Sequence, residues 1–418
     1  MSKSMQPGSS DQPKQPVSRR RFVAGAGAAA VGLSILPGRL ARGYAANAKV
    51  DLGLIGCGGR GTWIAGLFAE HGGYNVVAGA DYFEDRAAGL GARFQLKPEA
   101  LYTGLSGYRR MLEGKLDAVA IESPPYFHPE QAAAAVEAGK HVYLAKPIAV
   151  DVAGCKTVEQ AGRKATEKKL CFLVDFQTRA DKYYIEALQR VRQGAIGRLA
   201  FGEATYHADI PWMGQIQFAR RAAGDPEARL RAWGLDKVLS GDIITEQNIH
   251  TLDVASWIMG CPPLRAFGTG GRKVRDFGDC YDTFSVTFEY PDRVGVAFSS
   301  RQFPGHGTQP EGIRNRMFGS EGVLETSYGG DVLIRGKHFW RGGSSPGIYK
   351  QGAQTNIAAF HAAILGGDAS NPTVGESVRS NLVTILGRTA AYRGEVVTWD
   401  ALLAANDRYE FDTRGLKD

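Results

Sequence analysis

The sequence predicts an α/β chain in two parts: a parallel sheet covered by helices, then an α+β domain on an open, mainly antiparallel sheet. Three observations predict it. Strand and helix signals alternate from residue 49 to about 175, and the first strand ends in the glycine series Gly56, Gly58, Gly61. From about residue 195 strands follow one another without intervening helices.

Residues 50–56 read as a short apolar strand and residues 62–69 have helical spacing. Between them lies Gly56-Cys57-Gly58-Gly59-Arg60-Gly61, and a second strand, 75–80, ends at Asp81, 20 residues after Gly61. Each glycine has a mechanical reason here. The first allows a tight turn, the second lets backbone approach a pyrophosphate, and the third lets helix and strand pack, while the helix N-terminus attracts the anion. Asp81 would accept hydrogen bonds from ribose hydroxyls and repel a 2′-phosphate, which favours NAD. Arg86, within the next turn, keeps NADP open because it can neutralise such a phosphate. Residues 49–180 are therefore read as a Rossmann dinucleotide-binding domain, with Gly58, Gly59 and Arg60 at the phosphate turn.

Residues 117–122, 141–144 and 170–174 continue the parallel sheet, and 129–138 is an alanine-rich helix. Ligands of such sheets lie beyond the carboxyl ends of the strands. Two segments fall there: Ser123-Pro124-Pro125-Tyr126-Phe127-His128 and Ala145-Lys146-Pro147. Ser123, Pro124, His128 and Gln177 are expected at the cofactor. An ammonium at Lys146 would polarise a substrate oxygen and stabilise developing negative charge.

In the second part, residues 199–207, 281–290 and 294–298 alternate as strands, with a turn at Pro291-Asp292. Residues 181–418 are read as a substrate-binding and oligomerisation domain, ending in a long helix over 374–392. Tyr206, His207 and Trp212 are candidates to stack on a sugar ring, Tyr281 is expected in the core, and Arg179 is a candidate substrate ligand. Arg220, Arg221, Arg229 and Arg231 read as a solvated helical face.

The run DAVAIESPPYFHPEQAAAAVEAGKHVYLAKPIAVDVAGC, residues 117–155, resembles the glucose-fructose oxidoreductase and inositol dehydrogenase (Gfo/Idh/MocA) family in its proline loop, its histidine, AGKHV and a variant of EKP. The similarity continues through Phe176-Gln177-Thr178-Arg179, residues 194–197 and residues 241–260. The resemblance implies that Lys146 sits beside the nicotinamide and the reacting carbon. It departs at Ala145, where the family has glutamate. Glu246-Gln247-Asn248-Ile249-His250 is similar to the family's DxGxH, with Glu246 for aspartate and Asn248 for glycine. The acid and histidine, i and i+4, would share one helical face, His250 taking a hydroxyl proton and Glu246 orienting it or the substrate. A homo-oligomer, with the open sheet as a subunit interface, is implied by the resemblance alone.

The formal charge is +7, yet seven of the 50 Lys/Arg and one of the 43 Asp/Glu fall in residues 1–48, so the remainder is almost neutral. That balance argues against a nucleic-acid partner. Ser18-Arg19-Arg20-Arg21-Phe22-Val23, a Gly/Ala-rich apolar run to Leu36 and Ala46-Asn47-Ala48 resemble a twin-arginine signal with a cleavage site. Export by that machinery to the periplasm is expected, with no stable membrane span in the mature chain. The five widely spaced cysteines fit neither a disulfide framework nor a CxxC metal site, and no metal is expected. A folded protein exported this way would carry its cofactor with it and recycle it in place. The expected activity is hydride transfer on a sugar, glycoside or cyclitol. Redox-assisted glycoside cleavage, or a lyase step, is the second reading, and a sugar or cofactor sensor the third.

Overall fold

The computed structural model of the protein describes residues 49–222, 224–309 and 311–418. The expected signal, residues 1–48, lies outside the described residues, which from Lys49 to Asp418 form one compact unit. Among them, no helix is long and apolar enough to cross a membrane.

The first sheet is built from β1 (Val50–Ile55), α1 (Gly59–His71), β2 (Tyr74–Asp81), α2 (Glu84–Phe94), β3 (Leu101–Thr103), α3 (Gly107–Leu112), β4 (Ala118–Ile121), α4 (His128–Glu137), β5 (His141–Ala145), α5 (Val152–Glu167) and β6 (Phe172–Asp175). Its strands are parallel in the order β3-β2-β1-β4-β5-β6. Chain order reverses between β1 and β4, and the crevice beyond that point is where such a sheet binds ligands. Strands β4 and β5 are nearly continuous apolar runs because both of their faces are covered. Asp151 caps α5 by accepting from Gly154 N at 2.7 Å, which ends the loop after Lys146 abruptly.

The second half contains α6 (Lys182–Arg192), β7 (Leu199–Ala208), α7 (Ile216–Ala219), α8 (Pro226–Arg231), α9 (Lys237–Ser240), α10 (Asp242–Glu246), α11 (Ile249–Met259), β8 (Arg265–Gly271), β9 (Thr283–Glu289), β10 (Gly295–Gln302), β11 (Gly312–Gly319), β12 (Gly322–Ser327), β13 (Asp331–Gly336), β14 (Trp340–Ser344), α12 (Ile348–Gly366), α13 (Thr373–Arg393), β15 (Val397–Thr398) and α14 (Trp399–Ala405). The second sheet has nine strands, β14-β13-β12-β11-β7-β10-β9-β8-β15. Among the described residues its one parallel pair is β7 with β10, so it is mainly antiparallel as expected.

The C-terminal helices do more than complete this second sheet. Ala353, Ile357, Phe360 and Ile364 of α12 share a core with Val50, Leu52, Leu54, Ile64 and Phe68, so α12 packs on the first sheet beside α1. Helix α13 spans the two halves: Arg388 donates to Val150 O at 2.8 Å and to Gly241 O at 2.7 Å, and Asn381 pairs with Ile148 N and Ala149 O. These bonds fix the loop after Lys146 relative to the start of α10. The segment after α14 returns to the first sheet, where Phe411 N meets Tyr126 Oη, Lys417 N meets Tyr82 Oη and Leu105 N meets Lys417 O.

Candidate active site

The glycine turn has the mechanics its sequence implies. Gly56 lies at φ 91°, a left-handed conformation, and a Cβ there would stand 2.5 Å from Ser123 N. A Cβ on Gly61 would stand 1.8 Å from Gly56 O, so helix α1 can approach β1 only with glycine there. A Cβ on Gly58 would meet the Arg86 guanidinium, whereas one on Gly59 would meet nothing within 4 Å. Asp81 ends β2 and accepts from Cys57 N at 2.7 Å and Phe83 N at 2.9 Å. Burial raises its carboxyl above the usual range, opposed by those two N–H groups and by Arg86. A cleft runs from Asp81 and Arg86 past Gly56 and Gly58 to Glu122, Ser123 and Pro124, with Leu230 and Trp233 of the second half on its wall. The glycine cradle, the acid at the tip of β2 and the free N-terminus of α1 fit a dinucleotide.

Beyond that cleft, β5 delivers Lys146, whose bond to Pro147 is cis. Its Nζ donates to the main-chain oxygen of Glu246 at 2.7 Å and lies 3.4 Å from Glu246 Oε1. Burial lowers the pKa of Lys146, Glu246 opposes that and Arg60 adds to it; burial raises Glu246, against the pull of Lys146. His250, also buried, is driven well below its ordinary pKa by burial and then by the positive charges of Lys146 and Arg60. It is therefore neutral near pH 7, as a proton acceptor must be. Among the described residues its Nδ1 has no hydrogen-bond partner, and neither do Glu246 Oε2 and Asn248 Oδ1. Three buried polar atoms without partners within five residues of chain are what a site for a polar ligand would leave unsatisfied.

One expectation needs correcting. Glu246 and His250 do not lie on one continuous helix: α10 ends at Glu246, and Gln247 and Asn248 separate it from α11. Glu246 partners Lys146, and no hydrogen bond joins it to His250.

The other expected residues divide. Tyr206 reaches the site, donating from its hydroxyl to Gln247 Oε1 at 2.5 Å. Gln177, fully buried, donates to Asp175 Oδ2 at 2.9 Å and faces the Tyr328 hydroxyl at 3.5 Å. Arg60 sends its side chain inward to Asp175 at 2.6 Å, Glu122 at 2.9 Å and the Tyr349 hydroxyl at 2.8 Å. His128 is not a direct cofactor ligand: it is buried, with ring nitrogens 2.8 Å from Pro147 O and 2.7 Å from Ser123 O, and so braces both loops.

His207 follows Tyr206 on β7, so it lies on the opposite face of the sheet, where its Nε2 is 3.1 Å from Ser299 Oγ. Arg179 is occupied by Asp253 and Glu376 and lies over the Trp257 ring, holding α11 to α13 rather than a substrate. Trp212 packs on Gly234 and Trp233, behind the cofactor cleft. Tyr281 is only partly buried and stacks on Tyr392 at 3.9 Å. Arg229 and Arg231 are not a solvated face: they pair with Asp236 and Asp85 and cover the Phe411 and Phe83 rings.

Sequence reasoning missed Tyr328, whose ring lies 5.3 Å from that of His250, because it arrives from the distant end of β12. It also missed Glu122 and Asp175, although each is an acid at a strand end.

The chain's two halves match two descriptions of one family. Residues 50–176 match the oxidoreductase family with an NAD-binding Rossmann fold, and residues 184–325 match the GFO/IDH/MocA C-terminal domain. The chain belongs to the GFO/IDH/MocA family. Its first half is the family's NAD-binding Rossmann domain. An inositol 2-dehydrogenase of Saccharopolyspora erythraea is 29% identical over 217 residues, 50% of this chain and 54% of that one. An α-N-acetylgalactosaminidase of Shewanella oneidensis is 28% identical over 219 residues, 47% of each. The chain thus spans about half the length of the curated relatives it matches. Among solved structures, the scyllo-inositol dehydrogenase of Lactobacillus casei with bound NAD(H) and scyllo-inositol has a TM-score of 0.65 at 19% identity, over 84% of this chain and 99% of that one. That likeness is one of fold.

Proposed function

We propose that this protein is an NAD(P)-dependent oxidoreductase that moves a hydride to or from a carbinol carbon of a sugar, glycoside or cyclitol while holding its cofactor tightly. The observation that carries the proposal is the buried group of Lys146, Glu246 and His250 just beyond the dinucleotide cleft.

Bound nicotinamide supplies the hydride acceptor. The protein's residues supply the rest. Neutral His250 takes the hydroxyl proton as the carbon loses hydride, so an alcohol becomes a carbonyl and one proton is left on the imidazole. Lys146 holds the same oxygen, and its charge opposes proton uptake by His250 until the alcohol gives up its own. Glu246 keeps Lys146 aimed through its carbonyl and balances it through its carboxylate. Tyr206 and Tyr328 wall the site, and burial keeps water from competing.

Export is part of the proposal. A protein carried folded into the periplasm would retain its cofactor and need a second substrate to recycle it, a carbonyl compound to reoxidise it or an alcohol to reduce it again.

Redox-assisted glycoside cleavage is the second reading, supported by the similarity to the Shewanella α-N-acetylgalactosaminidase. Here the oxidised sugar loses the acidified C–H proton and its leaving group, takes up water across the resulting double bond and is reduced again by the same cofactor, so no second redox substrate is consumed; without the water the product is that of a lyase. The deciding experiment follows absorbance in the reduced-nicotinamide band of protein purified without added cofactor, mixed with sugars and glycosides. A lasting rise reversed by a carbonyl compound supports the oxidoreductase. Release of an aglycone without a lasting rise supports cleavage, and sugar binding with neither signal leaves the sensor.

A further inference from the structure

Glu122 stands one residue beyond β4, between the glycine turn and Lys146, and has no role in the mechanism above. The residue lines the dinucleotide cleft, and its side chain is fully buried behind that lining. Among the described residues, neither of its carboxyl oxygens has a hydrogen-bond partner. Arg60 Nε approaches Oε2 to 2.9 Å but is not aligned to donate, and the rest of that guanidinium is engaged by Asp175 and the Tyr349 hydroxyl. A buried carboxyl without donors is costly, so either it keeps its proton or a ligand supplies donors. Burial raises its pKa to about 7.

The order of strand tips decides which donors. Along the crevice come Asp81 on β2, the glycine turn after β1, Glu122 after β4 and Lys146 after β5. The adenine-side ribose belongs at the first and the pyrophosphate at the second. The nicotinamide must reach the vicinity of Lys146. What spans the interval is the second ribose. The turn and Glu122 are in direct contact: a Cβ on Gly61 would lie 3.3 Å from Glu122 Cβ, and one on Gly56 within 2.7 Å of Glu122 O. Phosphate oxygens bring no donors to a carboxylate, whereas a ribose brings two hydroxyls.

We infer that Glu122 accepts the hydroxyls of the nicotinamide-side ribose, as Asp81 does for the adenine-side ribose. The assignment rests on the dinucleotide reading of the cleft. Burial in the Arg60 cluster, with an ion pair to Arg60 but no hydrogen bond accepted by either oxygen among the described residues, separates it from an ordinary surface acid.

The test is calorimetric binding of NAD, ADP-ribose and ADP to the full chain freed of retained dinucleotide, since ADP lacks the second ribose. Glu122→Leu, similar in volume but without oxygens, is expected to weaken NAD and ADP-ribose about tenfold or more while ADP stays within about twofold. Glu122→Gln, which keeps one acceptor, should fall between. Asp81→Asn should weaken all three. Equal loss of ADP in Glu122→Leu, or no loss of ADP-ribose, overturns the assignment. A wild-type protein that binds none of the three overturns the dinucleotide site itself and the assignment with it. Should the leucine variant melt early, the glutamine variant's ratio of ADP-ribose to ADP affinity decides alone.

Discussion

Lys146 Nζ donates to the main-chain oxygen of Glu246 at 2.7 Å and stands 3.4 Å from the same residue's Oε1. One residue therefore both orients the ammonium and balances its charge, and the two effects separate by mutation. Lys146→Met should lower kcat/KM by about 10²–10³, the usual effect of deleting one preorganised charged donor. Glu246→Gln keeps the carbonyl acceptor but removes the negative charge that supports the ammonium. Its loss should be smaller, and the alkaline limb of the pH profile should move to lower pH as Lys146 deprotonates earlier. An unmoved limb would remove Glu246 from that role.

The glycines of the phosphate turn differ in what they exclude. Gly61→Ala places a methyl 1.8 Å from Gly56 O and should abolish NAD binding or the fold, whereas Gly59→Ala, with nothing within 4 Å, should bind NAD within about threefold of wild type. Tm and NAD titration of the two variants measure the contrast. Equal behaviour would show that the turn is not held as described.

Burial lowers two histidines, His128 to about 4 and His250 well below its ordinary value of 6.5. Above pH 6.5 neither the folded nor the unfolded chain protonates them, so their preference for neutrality costs nothing. Below it the unfolded chain gains protons that the folded chain refuses, and stability falls with pH. For His128 the loss is on the order of 3 kcal/mol by pH 4. His128→Gln should be less stable than wild type at pH 7.5 but lose less on acidification. Parallel stability curves for the two proteins would contradict this.

Arg179 is a brace. Asp253, its fully buried partner, would be left as an unpaired charge by Arg179→Met, at a cost of about 3–5 kcal/mol. Arg179→Met with Asp253→Leu should recover most of that. Per folded molecule, kcat/KM should stay within about threefold, and a large rise in substrate KM would return Arg179 to the substrate site.

Asp81 and Arg86 face the same end of the cleft. Asp81→Ser removes the charge that repels a 2′-phosphate and leaves the guanidinium to attract it. The NADP-to-NAD affinity ratio should rise about tenfold or more, and Arg86→Ala in that background should reverse the gain. A ratio unchanged by both would place cofactor choice elsewhere.

The first half was legible because its signals are local. The spacing from Gly56 to Asp81, the apolar β4 and β5, and Lys146 at a strand end are each set by one stretch of chain. The candidate site was legible in its members and not in its arrangement. A run with i and i+4 polar residues reads as one helix, but Gln247 and Asn248 interrupt it and turn a main-chain oxygen towards Lys146. On β7 two neighbouring residues, Tyr206 and His207, were both plausible, and only the pairing with β10 and β11 decides which faces the site. Tyr328 meets His250 across some eighty residues of chain, a contact no local pattern announces. Arg229 and Arg231 looked solvated because their covering partners, Asp85, Phe83 and Phe411, come from distant segments.

The wall of the cofactor cleft is also assembled out of chain order. Tyr82, Phe83, Tyr126 and Phe127 meet Leu230 and Trp233, and Phe411 and Leu416 close the cluster, with Lys417 bonded to Tyr82 across 335 residues. A nascent chain thus presents a finished glycine turn and Asp81 long before the wall beside them exists. Early binding would be loose and reversible, and a firm hold on the dinucleotide would await the arrival of residues 411–417 at the ribosome exit.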